Sequence, residues 1–271
     1  MSTFRKFSAE EKKTFTQVLK TKGWFIAPSF IVDETLLVKA KEALRVCSDN
    51  CRNIQIKNKI PDNNEGTTHH LVGQDPIFLE ILKGLAYEFN DIFEEFFSGK
   101  YILNALGGNF LDRGVKSYAS EIHRDVRTFS LDLNLMINTL VMFDDFTEEN
   151  GATYLLSNSQ TQSEKPSKEE FYKNAERATG KKGSVIFWHS NLWHAAGANS
   201  TNQERTSVTP MFTKPFMKQQ FDYVNVVGTD NVANMDDELT KQVLGYYSRV
   251  PRTLDDWYQP KESRFYHPNQ E

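Results

Sequence analysis

Cysteine is scarce: the 271 residues hold two, Cys47 and Cys51. A pair four apart on a helix, in a chain without a secretion signal, reads as reduced thiols rather than a disulfide or a metal pair. Long apolar runs are missing too, and none approaches the ~20 residues of a membrane span. The opening Met-Ser-Thr-Phe-Arg-Lys-Phe-Ser lacks the apolar stretch of a signal peptide, and the closing Pro-Asn-Gln-Glu matches no peroxisomal or retention address. A cytoplasmic location is therefore expected. There is no excess of positive charge: the net is −4, which disfavours nucleic acid and anionic membranes as partners. No internal repeat, low-complexity tract or interdomain linker is visible. What the chain has in plenty is aromatic residues, 20 Phe, 10 Tyr and 4 Trp, enough for a core or an enclosed pocket.

The first hundred residues carry helical signals. Ser8 followed by Ala-Glu-Glu predicts a capped start, with Phe15, Val18 and Leu19 at helical spacing and Gly23 as the stop. Trp24–Ile26 reads as a short strand. Asp33 caps a second helix through Leu36, Leu37, Ala40, Leu44 and Val46, and polar residues 52–68 read as a loop. His69 and His70 would follow on a strand, facing opposite ways, so at most one lines a pocket. Asp75-Pro76 opens an amphipathic helix with an aliphatic and aromatic stripe from Ile77 to Phe97, ended by Gly99.

After Tyr101 the pattern changes to short strands, at 101–106, 134–143, 152–156, 184–188 and 206–216, with a charged, partly helical excursion over 160–180. This predicts a mostly β fold with flanking helices: one domain over 1–271, with a helical part (1–100), a sandwich or barrel core (101–216) and a C-terminal extension (217–271). Trp257, Tyr258 and Tyr266 would pack the extension back on the core, and a short helix should start near Asp236.

The chemistry-bearing residues lie in that core. His123 and Asp125 are two apart, so on extended backbone both point to one side. They make two of the three ligands of a two-histidine, one-carboxylate iron site. A third candidate is His194, after the strand Ser184–Trp188 and a tight turn; His189, five residues earlier, is its rival. Arg205 lies eleven residues beyond His194, with turn residues Asn199–Asn202 between them. Two strands joined by that turn would put His194 and Arg205 on neighbouring strands of one sheet. The planar fork of an arginine suits a carboxylate.

The set His123-x-Asp125, Glu149-Asn-Gly-Ala152, Gly183-Ser-x-x-x-Trp188, His194, Asn199 and Arg205 resembles the phytanoyl-CoA dioxygenase family, over most of the chain except the tail. The resemblance implies a double-stranded β-helix, a cupin-like jelly roll, using Fe(II), 2-oxoglutarate and O2. Fe(II) would sit on His123, Asp125 and His194. The far carboxylate of 2-oxoglutarate would sit on Arg205 with help from Ser207, and Asn104 and Asn138 would be further cosubstrate contacts. The expected reaction is hydroxylation of an aliphatic C–H of a small polar metabolite or natural-product intermediate, with release of succinate and CO2. Desaturation, cyclisation or demethylation are alternative outcomes. The acting unit would be a monomer or homodimer. Family members with Gly in place of the carboxylate are halogenases, so Asp125 disfavours halogenation. One stretch departs from the pattern: Ser157-Asn-Ser-Gln160 stands where the family commonly has Gly-Ser-His. Two other classes compete with an oxygenase, a non-catalytic jelly-roll binding protein and a zinc hydrolase on the same ligands. Arg124 and Arg127, flanking the motif, are either surface charge or contacts to a substrate anion.

Overall fold

The computed structural model describes residues 2–61, 66–114, 118–261, 264, 267 and 270. Helix α1 (Ala9–Lys22) starts at a capping box. The Ser8 hydroxyl accepts from the Glu11 N–H at 3.2 Å, and the Glu11 carboxylate accepts from the Ser8 N–H at 2.9 Å. The helix ends on Gly23 in the left-handed conformation, φ 87°. A side chain there would run into Gln160 and Leu192, so Gly23 answers a backbone need and a packing need together.

Strand β1 (Trp24–Ala27) follows, then α2 (Glu34–Lys57), capped by Asp33. Its length corrects the expected loop boundary, because residues 52–57 are helical. That stretch is polar but holds neither Gly nor Pro. Buried Leu36, Leu37, Ala40, Leu44 and Cys47 anchor the helix, which then propagates past its last buried position. Residues 62–65 of the expected loop lie outside the described residues. Strand β2 (Thr67–Thr68) stops before the histidine pair, so the expected strand through His69 and His70 is also corrected. His70 takes φ 55°, a left-handed step that breaks strand alternation, and its ring stacks on Phe221 at 4.5 Å.

Helix α3 (Pro76–Phe97) begins with Asp75 as cap and Pro at its first position, and bends at Phe89. Next come β3 (Ile102–Leu111), β4 (Met136–Met142), β5 (Tyr154–Leu155), α4 (Lys168–Asn174), β6 (Glu176–Arg177), β7 (Val185–His189), β8 (His194–Ala195) and β9 (Arg205–Thr213). They form two antiparallel sheets, a major one in the order β1-β7-β4-β9-β3-β2 and a minor one in the order β6-β5-β8. Alternation along the major strands divides the interior. Phe25, Ile137, Phe187, Val208 and Phe212 join the helices in one core. Phe93 of α3 lies 4.5 Å from Phe212, and Phe89 lies 4.8 Å from Phe187. Trp24, Leu140, Met142, Ile186 and Trp188 face the other way, and pack with Leu155 of the minor sheet. Each such apolar side chain contributes about 1.5–3 kcal/mol on burial. The architecture is a double-stranded β-helix, a jelly roll with helices on its outer face, and the space between its sheets holds the chemistry-bearing residues.

The tail contributes α5 (Tyr223–Val227), α6 (Thr229–Ala233) and α7 (Glu238–Leu244), which bring Tyr223, Val224, Val232, Val243 and Leu244 into the helix-side core. The expected anchors differ: Trp257 and Tyr258 are 50% and 76% exposed, and Tyr266 lies outside the described residues. Among the described residues no helix is long and apolar enough to cross a membrane.

Candidate metal centre

His123 and His194 meet as an antiparallel pair. The His123 N–H donates to the His194 carbonyl at 3.0 Å and the His194 N–H donates to the His123 carbonyl at 2.9 Å. Two residues on, the Asp125 N–H donates to the Ser190 carbonyl at 3.1 Å. The His-x-Asp segment is therefore extended and laid along the Ser190–His194 turn. That pairing puts the two rings 4.2 Å apart and brings the Asp125 carboxylate between them and β7.

The electrostatics of the three groups are set by neighbours outside the cluster. His123 Nδ1 faces the Glu121 carbonyl at 2.7 Å, and His194 Nδ1 faces the Leu192 carbonyl at 2.9 Å. A carbonyl only accepts, so each Nδ1 carries the proton and each Nε2 offers a lone pair. The two Nε2 atoms lie 3.7 and 3.3 Å from the Asp125 carboxylate oxygens. All three ligand atoms fall within 4.8 Å of one another. Asp125 Oδ2 accepts from Asn138 Nδ2 at 2.5 Å and from the Trp188 indole at 3.3 Å. Burial pushes the Asp125 carboxyl up, but His194, His123 and the Trp188 indole outweigh it and hold the group below the usual carboxylate range. Burial also drives His194 down to about 4, leaving a neutral imidazole. Burial lowers His123 too, but the Asp125 carboxylate outweighs it and raises the group above the ordinary imidazole value, so a metal would displace a proton there. Two imidazole Nε2 atoms and an ionised carboxylate form a donor set suited to a divalent transition metal.

His189, the rival ligand, is not part of this cluster. Its Nδ1 accepts from the Asn191 N–H at 3.0 Å and its Nε2 is 3.0 Å from Asn134 Oδ1. Both nitrogens are thus spent on bracing the turn. His69 and His70 line a separate cavity of about 710 Å³ between the end of α2 and Phe221.

Arg205 and Ser207 are two apart on β9 and share a face. Cross-strand pairing of Ser207 with Met142 puts that face on the side where Leu140 and Met142 look toward the minor sheet. The expected sheet arrangement needs correcting here. His194 belongs to the minor sheet and Arg205 to the major one, because the chain crosses between sheets through Asn199–Asn202 instead of closing a hairpin. Arg205 is 4% exposed, its guanidinium lies over the Phe146 ring at 4.0 Å, and its Nη1 donates to the Gly151 carbonyl. Its Nε and the Ser207 hydroxyl are buried without a hydrogen-bond partner. Among the described residues no carboxylate pairs with it within 4 Å, since nearby Asp144 is engaged by Lys41 and Thr206. Burial, with Arg177 nearby, lowers Arg205 below its ordinary value.

The remaining expected contacts separate. Asn138 reaches Asp125 through its Nδ2 and keeps an unpartnered Oδ1. Asn104 sits at a bulge in β3 and donates to the Lys218 carbonyl at 3.1 Å, tying down the tail. The departure Ser157–Gln160 is structural bracing: the Ser159 hydroxyl accepts from the Trp193 N–H at 2.9 Å, and Gln160 donates to the Thr21 carbonyl. Trp188 is a supporting residue whose role the sequence does not show. Its Gly183-Ser-x-x-x-Trp188 context was visible, but its indole contact with Asp125 was not. A cavity of about 220 Å³ opens beside His123, lined also by Arg124, Arg127, Phe129, Lys165 and Trp193.

The jelly roll thus presents a His-x-Asp…His triad, able to hold a metal ion, from the space between its sheets. Residues 88–207 match the model of the phytanoyl-CoA dioxygenase family. An uncharacterized protein of Mycobacterium tuberculosis is 35% identical over 153 residues, 56% of this chain and 56% of that protein. The chain thus spans little more than half the length of that relative. Among solved structures, EctD from S. alaskensis with bound Fe superposes with a TM-score of 0.59 at 16% identity, covering 80% of each chain. The epimerase SnoN in complex with Fe3+, alpha ketoglutarate and nogalamycin RO gives 0.57 at 13% identity, covering 76% of this chain and 84% of that one. These two likenesses are likenesses of fold.

Proposed function

We propose that the protein is an Fe(II)- and 2-oxoglutarate-dependent dioxygenase of the cytoplasm. It would hydroxylate an aliphatic C–H bond of a small polar metabolite or natural-product intermediate and release succinate and CO2. His123, Asp125 and His194 would hold the metal, and Arg205 and Ser207 would take the far carboxylate of 2-oxoglutarate. One observation carries this reading, the buried Arg205 with an unpartnered Nε, an unpartnered Ser207 hydroxyl two residues on, and no carboxylate partner among the described residues. A buried charge left unpaired costs several kcal/mol, and a dicarboxylate guest would remove that cost. A zinc hydrolase or a plain binding protein on the same triad has no use for the cation.

When bound, the metal and 2-oxoglutarate supply the oxidising chemistry that sends one atom of O2 to succinate and the other to product. The chain's own part is positioning and shielding. The Glu121 and Leu192 carbonyls keep both Nδ1 atoms protonated, so both Nε2 lone pairs stay available. Asn138 and Trp188 fix one oxygen of Asp125. Phe129 and Trp193 wall the adjacent cavity and limit water there. Asn104 is assigned to the tail rather than to the cosubstrate.

The test is anaerobic addition of Fe(II) and 2-oxoglutarate to metal-free protein. A weak metal-to-ligand charge-transfer band is expected, followed by succinate release when O2 is admitted. Absence of the band together with no affinity for either component would remove the reading. The mass of the product separates hydroxylation from desaturation, cyclisation and demethylation.

A further inference from the structure

The cavity beside His123 has an unusual charge balance for this chain. Arg124, Arg127 and Lys165 line it, and no carboxylate does, in a protein whose net charge is −4. Several cations elsewhere are paired, Lys41 with Asp144, Lys22 with Glu176 and Arg45 with Glu204. Among the described residues none of the three cavity cations has a carboxylate within 4 Å. Arg124 is held rigidly. It is 4% exposed and sits over the Trp193 ring at 4.0 Å and the Phe129 ring at 5.3 Å. Its Nη2 donates to the carbonyls of Gln162 and Ser163 at 2.5 and 3.3 Å. Its Nε is buried without a partner, as is the indole N–H of Trp193, a residue 8% exposed. Two fixed donors without acceptors and two further cations at the rim, next to a metal ligand, make a site complementary to an anion.

We infer that the organic substrate carries an anionic group, a carboxylate or a phosphate, which docks on Arg124, Arg127 and Lys165 beside the Trp193 indole and so presents the rest of the molecule to the metal side of the cavity. This inference rests on the oxygenase reading for the word substrate, but the anion site itself does not. Arg124 stands between the two ligands of the His-x-Asp motif, so the residue that orients the substrate is locked to the segment that holds the metal. The aromatic rings beneath the guanidinium keep its donors in one plane, and the exposed Arg127 and Lys165 supply attraction at the mouth.

The probe for the site is inorganic phosphate, and the reporter is the Trp193 indole resonance in a heteronuclear NMR titration. Saturable movement of Trp193, with Trp257 unmoved, is expected. The double variant R127Q/K165Q, altered only at exposed side chains, should weaken phosphate at least tenfold. No movement of Trp193, or equal affinity in the double variant, overturns the inference. In a metabolite panel supplied with Fe(II), 2-oxoglutarate and O2, the compounds that stimulate succinate release should be acids or phosphates. Their amides, esters or dephosphorylated counterparts should lose at least tenfold in kcat/KM. A neutral compound that stimulates as well as its charged partner also overturns it. The charge-transfer band keeps the two readings apart. A band without phosphate binding sinks only the anion site, and phosphate binding without a band sinks only the oxygenase.

Discussion

The interior between the sheets has two differently finished ends. At the triad, every group has its other side satisfied: carbonyls hold both Nδ1 atoms, and Asn138 and Trp188 hold Asp125. At Arg205 the finish is missing, with a buried Nε and a buried Ser207 hydroxyl that the protein leaves without acceptors or donors. The first end is preorganised, so a metal meets ligands already oriented. The second end carries a standing cost, which the proposed dicarboxylate guest would relieve. A protein that keeps such a cost spends stability on recognition.

The comparison can be broken most strongly at the triad. D125A should abolish stoichiometric Fe(II) binding and lower succinate release by roughly 10³-fold or more, measured by metal analysis and turnover. Retention of both would mean that Asp125 is no ligand. At the other end, R205M should weaken 2-oxoglutarate about 100-fold, the loss of a bidentate charge-assisted pair. The same change should leave the ligand-free Tm unchanged or higher, because an unpaired buried cation is gone. A Tm lower by several degrees would show that Arg205 is structural and the two ends are alike. The pH dependence sharpens the point. Burial lowers Arg205, but a guanidinium keeps its charge across the working range, so 2-oxoglutarate affinity in wild type should hold level from about pH 7 to 9.

Smaller effects are expected from the supporting contacts. W188F removes one donor to Asp125 and should weaken Fe(II) about tenfold, read by chelator competition, with 2-oxoglutarate's dependence on Arg205 unaltered. Last comes His189, which touches neither end. Burial, with Arg124 nearby, lowers it to about 4, below its ordinary value. The unfolded chain therefore binds the extra proton first. The stability owed to neutral His189 is present above about pH 6.5 and is lost as pH falls toward 4, at about 1.4 kcal/mol per pH unit. Thermal unfolding of metal-free H189Q between pH 7 and 5 should show a shallower decline than wild type. An equal slope would remove His189 as the source.

Local signals in the sequence were the legible ones. Ser8, Gly23, Asp33 and Asp75-Pro76 mark helix boundaries because capping depends on residues a few positions apart. The order His123, Asp125, His194, Arg205 was legible as a family pattern, and the jelly roll came with it. The end of α2 was misread because polarity is not a helix breaker. His70 was misread because a left-handed step in a non-glycine residue leaves no mark in composition. His194 and Arg205 were assigned to one sheet because turn residues do not say whether a turn closes a hairpin or carries the chain across. Most of what finishes the triad is invisible locally: Trp188 reaches Asp125 across 63 residues of sequence. An unpartnered Nε is a property of packing alone.

Gly23 has a consequence for how the protein assembles. Its carbonyl accepts from the His189 N–H at 2.9 Å, and its open Cα face receives Leu192 from the turn that ends in His194. The end of the first helix thus clasps the turn carrying His194, the last residue of the proposed metal triad, with most of the jelly roll between them in sequence. Closing so long a loop is slow relative to local structure. Metal uptake should therefore be among the final events of refolding, and the rate at which refolding protein acquires Fe(II) becomes a clock for the docking of its N-terminus.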